Sequence, residues 1–328
     1  MPERSTTSPR TAGRLTPRSH VSQLLVLGVG GVGGYFGGKI AAAVAADPDP
    51  AWRVHFVARG VHLARIRQNG LALHATDGDV VCRPASAVAA VSEAPVPDVV
   101  LLCVKGYDLR GASRQLASHC DAGTVVVPVL NGVDVYDRVR AVVRTGYVLP
   151  GCALVGTHLD RPGVVRQEGE EGRLFFGADP AHPDFVPESF LGLLERSGVS
   201  YRWFDDPRPA LWEKFVFIAA FGLVTAADGK TLGEVLTDEV AMDDVTGIMG
   251  EVVELAAREG VAMPADAIDI ALGKAQSFPY ETKTSLQRDV EAGRRHEGDL
   301  FGATILRLGE RHGVRTPHTR QVFARIEA

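Results

Sequence analysis

The sequence is poor in cysteine, in excess charge and in long apolar runs. Its four cysteines, Cys82, Cys103, Cys120 and Cys152, stand far apart in 328 residues. With no C-x-x-C pair and no histidine cluster at ligand spacing, neither a disulfide framework nor a metal site is indicated, and reduced thiols in a cytoplasmic protein are expected. The 40 acidic and 35 basic residues leave a net charge of −5. That balance argues against nucleic acid or a membrane surface as the main partner. No uninterrupted apolar stretch approaches the roughly 18 residues that a membrane-spanning helix needs.

What is present is an ordinary globular composition, 45% hydrophobic, in a chain long enough for about two domains with a sizeable core. Residues Met1 to Ser22 are rich in Ser, Thr, Pro and Arg and lack apolar periodicity. A segment of that kind buries too little surface to repay its own ordering, so a disordered tail is expected.

The stretch Gln23 to Ala45, QLLVLGVGGVGGYFGGKIAAAVA, organises the rest of the chain. Leu24 to Leu27 read as a buried strand, and Gly28, Gly30 and Gly33 then give the G-x-G-x-x-G spacing before a run of small residues. The first glycine permits a tight turn, the second lets a pyrophosphate reach the backbone, and the third lets the new helix pack closely on the strand. Phosphates would then face free N–H groups at a helix N-terminus. A dinucleotide site is the functional reading.

A second strand, Arg53 to Ala58, ends at Arg59-Gly60. An Asp or Glu at that strand end would select NAD by accepting bonds from the ribose hydroxyls, whereas an arginine can pair with a 2′-phosphate. Arg59 therefore points to NADP(H), against the alternative of a plain surface arginine. The segment Gly70 to Val91 alternates around Asp77-Gly78 and predicts a small antiparallel hairpin inserted between the parallel strands. Asp98 to Val104 is a continuous apolar strand ending at Lys105, and Thr124 to Leu130 is another ending at Asn131-Gly132. Strand carboxyl ends line the ligand crevice of an open α/β sheet, so Lys105 and Asn131 are candidate site residues. Each is equally open to a bland reading, as a solvated lysine and a simple turn.

Further strands are expected at Tyr147 to His158, Gly163 to Gln167, Gly172 to Gly177 and Tyr201 to Phe204, with a helix near Pro187 to Ser197. Asp205 to Pro209 reads as a linker. Beyond it helical periodicity dominates: Ala210 to Ala227, Asp238 to Glu259, Ala265 to Ala275, Leu300 to His312 and Thr319 to Ile326. The expected organisation is a tail over 1–22, an α/β NADP-binding domain over 23–205 and a helical domain over 206–328.

In order and spacing, the glycine turn, Arg59, Val104-Lys105, Leu130-Asn131-Gly132, Trp212-Glu213-Lys214, the block Thr284 to Asp289 with Gly293-Arg294, Glu297 and His312 to Pro317 together resemble the ketopantoate reductase family. The resemblance implies a Rossmann-type domain followed by an all-α domain of the 6-phosphogluconate dehydrogenase C-terminal type. It also implies NADPH-dependent reduction of 2-dehydropantoate to pantoate in the cleft between them, and it leaves room for a homodimer. It makes Lys214 the general acid and Glu297 its partner on the same side of the cleft. Ser285 would touch the substrate carboxylate, with Lys105 and Asn131 near the cofactor and the reacting end of the substrate. An ammonium beside a ketone suits this chemistry on general grounds, because hydride addition leaves negative charge on oxygen.

Three positions depart from the family pattern, which generally has asparagine where this chain has Ile218, Gly222 and Thr282. A pocket without those amides discriminates less between substrate hydroxyls. A relative acting on a more apolar carbonyl compound, and a non-catalytic NADP(H)-binding protein, are the competing expectations.

Overall fold

The structure is a computed structural model and describes residues 21–328. The expected tail lies outside the described residues except for Val21 and Ser22, and Ser22 already opens a strand. Strands and helices alternate through β1 (Ser22–Leu27), α1 (Gly31–Ala46), β2 (Trp52–Val57), α2 (Gly60–Asn69), β3 (Leu71–Ala75), β4 (Gly78–Cys82), β5 (Ser86–Val88), β6 (Val99–Leu102), α3 (Leu109–Ala117), β7 (Val125–Pro128), α4 (Val135–Arg140), β8 (Tyr147–Val148), β9 (Gly151–Arg161), β10 (Val164–Gly177), α5 (Glu188–Arg196) and β11 (Ser200–Phe204). Only helices come after β11: α6 (Arg208–Asp228), α7 (Leu232–Leu236), α8 (Glu239–Arg258), α9 (Ala267–Gln276), α10 (Ser285–Glu291), α11 (Gly302–His312) and α12 (Pro317–Glu327). The expected architecture, an α/β Rossmann-type domain and then an all-α domain, is what the chain adopts.

The main sheet runs β5-β2-β1-β6-β7-β8, and its strands pair in parallel. Chain order reverses on the two sides of β1, which creates the crevice at the strand carboxyl ends. Both faces of this sheet are covered. Leu24 and Val26 of β1 enter one apolar core, while Leu25 and Leu27 enter another with Val100, Leu102 and Leu116. That two-sided burial explains why these strands are unbroken apolar runs in the sequence.

The hairpin expected between the parallel strands does form, as β3 against β4, but it belongs to a second sheet of order β11-β10-β3-β4, with β9 on β10. Its alternating pattern reflects one buried face rather than insertion into the main sheet. Two expected strand boundaries also shift. The stretch from Tyr147 divides into β8 and β9, with Pro150, which has no N–H to give a ladder, between them. The two strands expected around Gly172 are one strand, β10, with an irregular register between Glu168 and Arg173. The linker is shorter than expected as well: α6 begins at Arg208 with Pro209 in its first turn, where a missing N–H costs no helical bond.

Helix α6 is apolar on nearly every side, with Phe215, Val216, Ala219, Ala220, Leu223 and Val224 fully or almost fully buried. By length and composition alone it could cross a membrane. Its burial against α8, α9, α10 and α12 makes it the central core helix of the second domain.

The two halves are pinned together by Leu300, which has no exposed surface. It ends a short turn at Gly298–Leu300 and packs into the core of the first half, against the loops after β6 and β7. Glycine makes that fit possible. A Cβ on Gly106 would lie 2.6 Å from Leu300 Cδ1, too close for the leucine to stay where it is.

Candidate active site

The glycine turn has the form that its spacing predicts. Gly28 has φ +97°, and a Cβ there would stand 2.8 Å from the Val104 nitrogen. A Cβ on Gly33 would lie 2.2 Å from the Gly28 carbonyl oxygen, so α1 can approach β1 only without a side chain at that position. Around Gly30 there is open space, with no atom within 4 Å of a Cβ built on it. Helix α1 starts at Gly31 with no side-chain cap and no acidic residue in its first turn, which leaves its first N–H groups free for an anion. Tight at Gly28 and Gly33, open at Gly30 and uncapped, the turn fits a pyrophosphate.

The pattern G-x-G-x-x-G does not reveal a further demand on α1. Cβ atoms on Gly31 and Gly34 would lie 2.9 Å from the Thr157 oxygen and 2.5 Å from Val165 Cγ2. These extra glycines let the second sheet cross the helix, and long-range packing of that kind has no local sequence signature.

Arg59 stands just past β2 as the residue before α2. Its guanidinium is 66% exposed, and Nη1 lies 3.6 Å from Asp108 Oδ2. An exposed pair at that distance is weak and leaves the guanidinium available to a phosphate. Sequence pattern gives no hint of Asp108, because its place opposite Arg59 depends on β1 lying between β2 and β6 in the sheet.

Two lysines face the junction of the halves in different surroundings. Lys105 Nζ lies 2.9 Å from Glu297 Oε2 and 3.2 Å from Asp289 Oδ2, and Glu297 Oε1 accepts the Gly106 N–H at 2.9 Å. Burial opposes the Lys105 charge, but Glu297 and Asp289 outweigh it and hold the ammonium above the ordinary lysine range. Lys214, on α6, donates instead to two neutral oxygens, Asn131 Oδ1 at 2.8 Å and the Ala153 carbonyl at 2.6 Å. The structure therefore brings Lys214 to Asn131 and Glu297 to Lys105. Among the described residues Glu297 makes no direct contact with Lys214: it follows α10 and immediately precedes the Leu300 turn, so it reaches the β6 loop that this turn packs on.

Ser285 is the first residue of α10 and is exposed, with no side-chain hydrogen bond among the described residues. Its neighbour Thr284 caps the helix by accepting from the Gln287 N–H and meets Thr225 Oγ1 at 2.8 Å, which ties this helix start to α6. Ile218 is half-buried and Gly222 buried on α6, four and eight residues after Lys214. A Cβ on Gly222 would meet only Leu286 Cδ2, at 3.9 Å, so a methyl there clashes with nothing. Lys283 is held by Glu291 at 2.8 Å. A separate pocket of 470 Å³ between the halves is lined by Asp134, Tyr136, Arg208, Trp212 and Arg311, among others, and by none of Lys105, Asn131, Lys214, Ser285 or Glu297. Among the described residues no group of three or more His, Cys, Asp or Glu could hold a metal ion.

Comparison with known proteins bears on this arrangement directly. The family model described as ketopantoate reductase PanE/ApbA matches residues 24–181, and the one described as ketopantoate reductase PanE/ApbA C terminal matches 206–328. The chain belongs to the ketopantoate reductase family. It is 28% identical over 325 residues to the 2-dehydropantoate 2-reductase of Mesorhizobium japonicum, covering 93% of this chain and 96% of that one. It is 26% identical over 309 residues to the Bacillus subtilis oxidoreductase YkpB, covering 93% and 98%. The crystal structure of a PanE/ApbA family ketopantoate reductase from Ralstonia eutropha superposes with a TM-score of 0.83 at 26% identity, covering 93% and 97%. As a ketopantoate reductase family member the chain is an oxidoreductase acting on CH–OH groups, and NADP(H) is the family's cofactor.

Proposed function

We propose that this chain reduces a 2-keto acid to the 2-hydroxy acid with NADPH, with 2-dehydropantoate as the first substrate to test. The observation that carries this reading is Lys214: a lysine on an otherwise apolar core helix whose ammonium is aimed by two neutral oxygens and has no carboxylate partner among the described residues. An ammonium held in that way keeps its full charge for a ligand oxygen, whereas Lys105 is already neutralised by Glu297 and Asp289.

Bound NADPH would supply the hydride, with its pyrophosphate at Gly28, Gly30 and Gly33 and its 2′-phosphate at Arg59. The chain's own contribution is to hold the keto oxygen at Lys214 Nζ, stabilise the charge that grows there and transfer the ammonium proton to it. The C–O oxygen gains that proton, the carbon gains the hydride, and Lys214 is reprotonated from solvent. Asn131 and the Ala153 carbonyl position Lys214. Glu297 orients Lys105 and locks the helical half to the β6 loop, and Ser285 lies free to donate to the substrate carboxylate.

Ile218 and Gly222 favour a second substrate reading, a 2-keto acid with a more apolar side chain, since an alkyl group and a gap stand where the family generally has amides. The deciding experiment is NADPH oxidation by purified protein over a panel containing 2-dehydropantoate and apolar 2-keto acids. No turnover of any member would overturn the reductase reading, and a preference for the apolar members would move the substrate assignment to them.

A further inference from the structure

The chain has six lysines, and five of them reach acceptors. Lys39 meets Asp77 and Glu171, Lys105 meets Glu297 and Asp289, Lys230 meets Asp238, and Lys283 meets Glu291, while Lys214 donates to Asn131 and Ala153. Lys274 is the exception. Among the described residues its Nζ meets no carboxylate and no hydrogen-bond acceptor.

Its position is not that of a stray surface lysine. Helix α9 buries Ala267, Ala271 and Ala275 against the core of the helical half, so Lys274, next to Ala275, is half-buried beside α6. Its Nζ lies 5.4 Å from the centre of the Phe217 ring, and Phe217 stacks on Phe278 at 5.7 Å with an interplanar angle of 10°. Phe217 follows Lys214 by three residues on α6, which puts Lys274 beside the helix turn that carries Lys214. Burial pushes the Lys274 ammonium below the ordinary lysine range, and the Lys214 charge acts in the same direction. Glu213, Cys152 and Glu170 act against it more weakly. A ring face compensates only part of what a half-buried cation loses in hydration. An anion would supply the rest.

A 2-keto acid presents its carboxylate one carbon–carbon bond from its ketone, and the chain presents two neighbouring ammoniums, one of them aimed. We propose that Lys274 binds the substrate carboxylate adjacent to the ketone that Lys214 protonates. This rests on the reductase reading and adds to it the charge that a neutral Ser285 hydroxyl does not bring. With the carboxylate held by Lys274, the ketone is turned toward Lys214, which is how one ionic contact orients a small substrate in a site without amides at positions 218 and 222.

The test compares the unmodified protein with Lys274→Met and Lys274→Arg in steady state, on 2-ketoisovalerate, its carboxamide and 2-ketoglutarate. Lys274→Met is expected to raise KM for 2-ketoisovalerate by roughly tenfold or more, the loss of one charge-assisted contact. It is expected to change kcat far less, to leave NADPH affinity and the carboxamide unaffected, and Lys274→Arg is expected to restore most of the loss. An unchanged KM overturns the assignment. So does a rise confined to 2-ketoglutarate, which would put Lys274 at the far end of the substrate, or an equal loss on the carboxamide, which would make its role structural. Binding of oxamate to the NADPH complex, followed by fluorescence, separates this proposal from the reading it rests on. Oxamate binding that depends on Lys274 in a protein that reduces no keto acid leaves the anion site standing and removes the reductase. Keto acid reduction indifferent to Lys274→Met does the reverse, and neither binding nor turnover removes both.

Discussion

Gly30 and Gly33 belong to one motif, yet the structure gives them opposite consequences on substitution. A methyl at Gly33 would stand 2.2 Å from the Gly28 oxygen and 3.0 Å from Cys103 Cβ. The first of these is a backbone atom that cannot swing aside, so α1 must shift from β1. Overpacking of this sort costs about 1–3 kcal/mol, and the gain in helix propensity from glycine to alanine returns about 1 kcal/mol. A 2.2 Å clash with a backbone atom takes the upper end of that cost, so the net loss is about 2 kcal/mol, or roughly 3 °C in Tm for a chain of this size. Gly30→Ala meets nothing within 4 Å, and at φ −91°, ψ −147° the position lies outside the left-handed region that demands glycine. Its Tm is expected to stay unchanged. Its methyl would instead occupy the space through which the pyrophosphate reaches the backbone. Losing one charge-assisted N–H contact of about 1.5–3 kcal/mol would weaken NADPH by roughly tenfold to a hundredfold. Thermal melting of both variants without cofactor, with NADPH titration of Gly30→Ala, checks the pair. A Gly33→Ala protein as stable as the original, or a Gly30→Ala protein that binds NADPH normally, would refute the division of labour.

Arg59→Ala should weaken NADPH by about 1.5–3 kcal/mol while barely affecting NADH; equal losses for both cofactors in a fluorescence titration would count against a 2′-phosphate contact. Lys214→Ala should lower kcat by about 10² to 10⁴ with cofactor affinity retained, and Lys214→Arg should not rescue it, since guanidinium is a poor proton donor near neutral pH. Near-normal turnover by Lys214→Ala on the best substrate would remove the proposed acid. Gly222→Asn, at a position where a Cβ clashes with nothing, should improve kcat/KM for 2-dehydropantoate by up to about tenfold, the worth of one hydrogen bond; a loss for that substrate alongside a gain for apolar keto acids would contradict this. Leu300→Ala should cost about 2–5 kcal/mol as a fully buried leucine and should lower kcat as well, because Glu297 sits at the start of the same turn. A melting curve showing no destabilisation would mean that Leu300 does not pin the halves.

Most of the scaffold is legible in the sequence because local patterns and global packing agree there. Apolar runs such as Val99 to Leu102 suit strands buried on both faces, and each ends near a polar residue that the sheet carries to the crevice. Where tertiary context decides the outcome, the sequence is silent. Nothing local says that β3 and β4 join a second sheet, or that this sheet crosses α1 closely enough to require glycine at 31 and 34. The short α10 does not stand out as a helix either, since a segment of seven residues carries too little periodicity to register. The candidate site follows the same rule. Lys105, Asn131 and Lys214 are each marked by a strand end or by apolar surroundings, but which carboxylate meets which lysine depends on how the halves dock.

That docking gives the departures at 218 and 222 their meaning. In the proposed mechanism the positioning comes chiefly from the junction: Lys214 is aimed by Asn131 and Ala153 from the first half, while Lys105 is neutralised by Glu297 and Asp289 from the second. Every one of those contacts crosses between the halves, and Leu300 fixes their spacing. The face of α6 at Ile218 and Gly222 takes part in none of them. It lies among the packed residues of the helical half, with Gly222 facing Leu286. Substitution there is expected to leave the ammonium and the strand-end loops undisturbed. On the proposed reading, reduction and substrate choice are therefore mechanically separable in this fold. On the function proposed above, exchanging the amides for an alkyl group and a gap would change which keto acid fits while retaining the residues that reduce it.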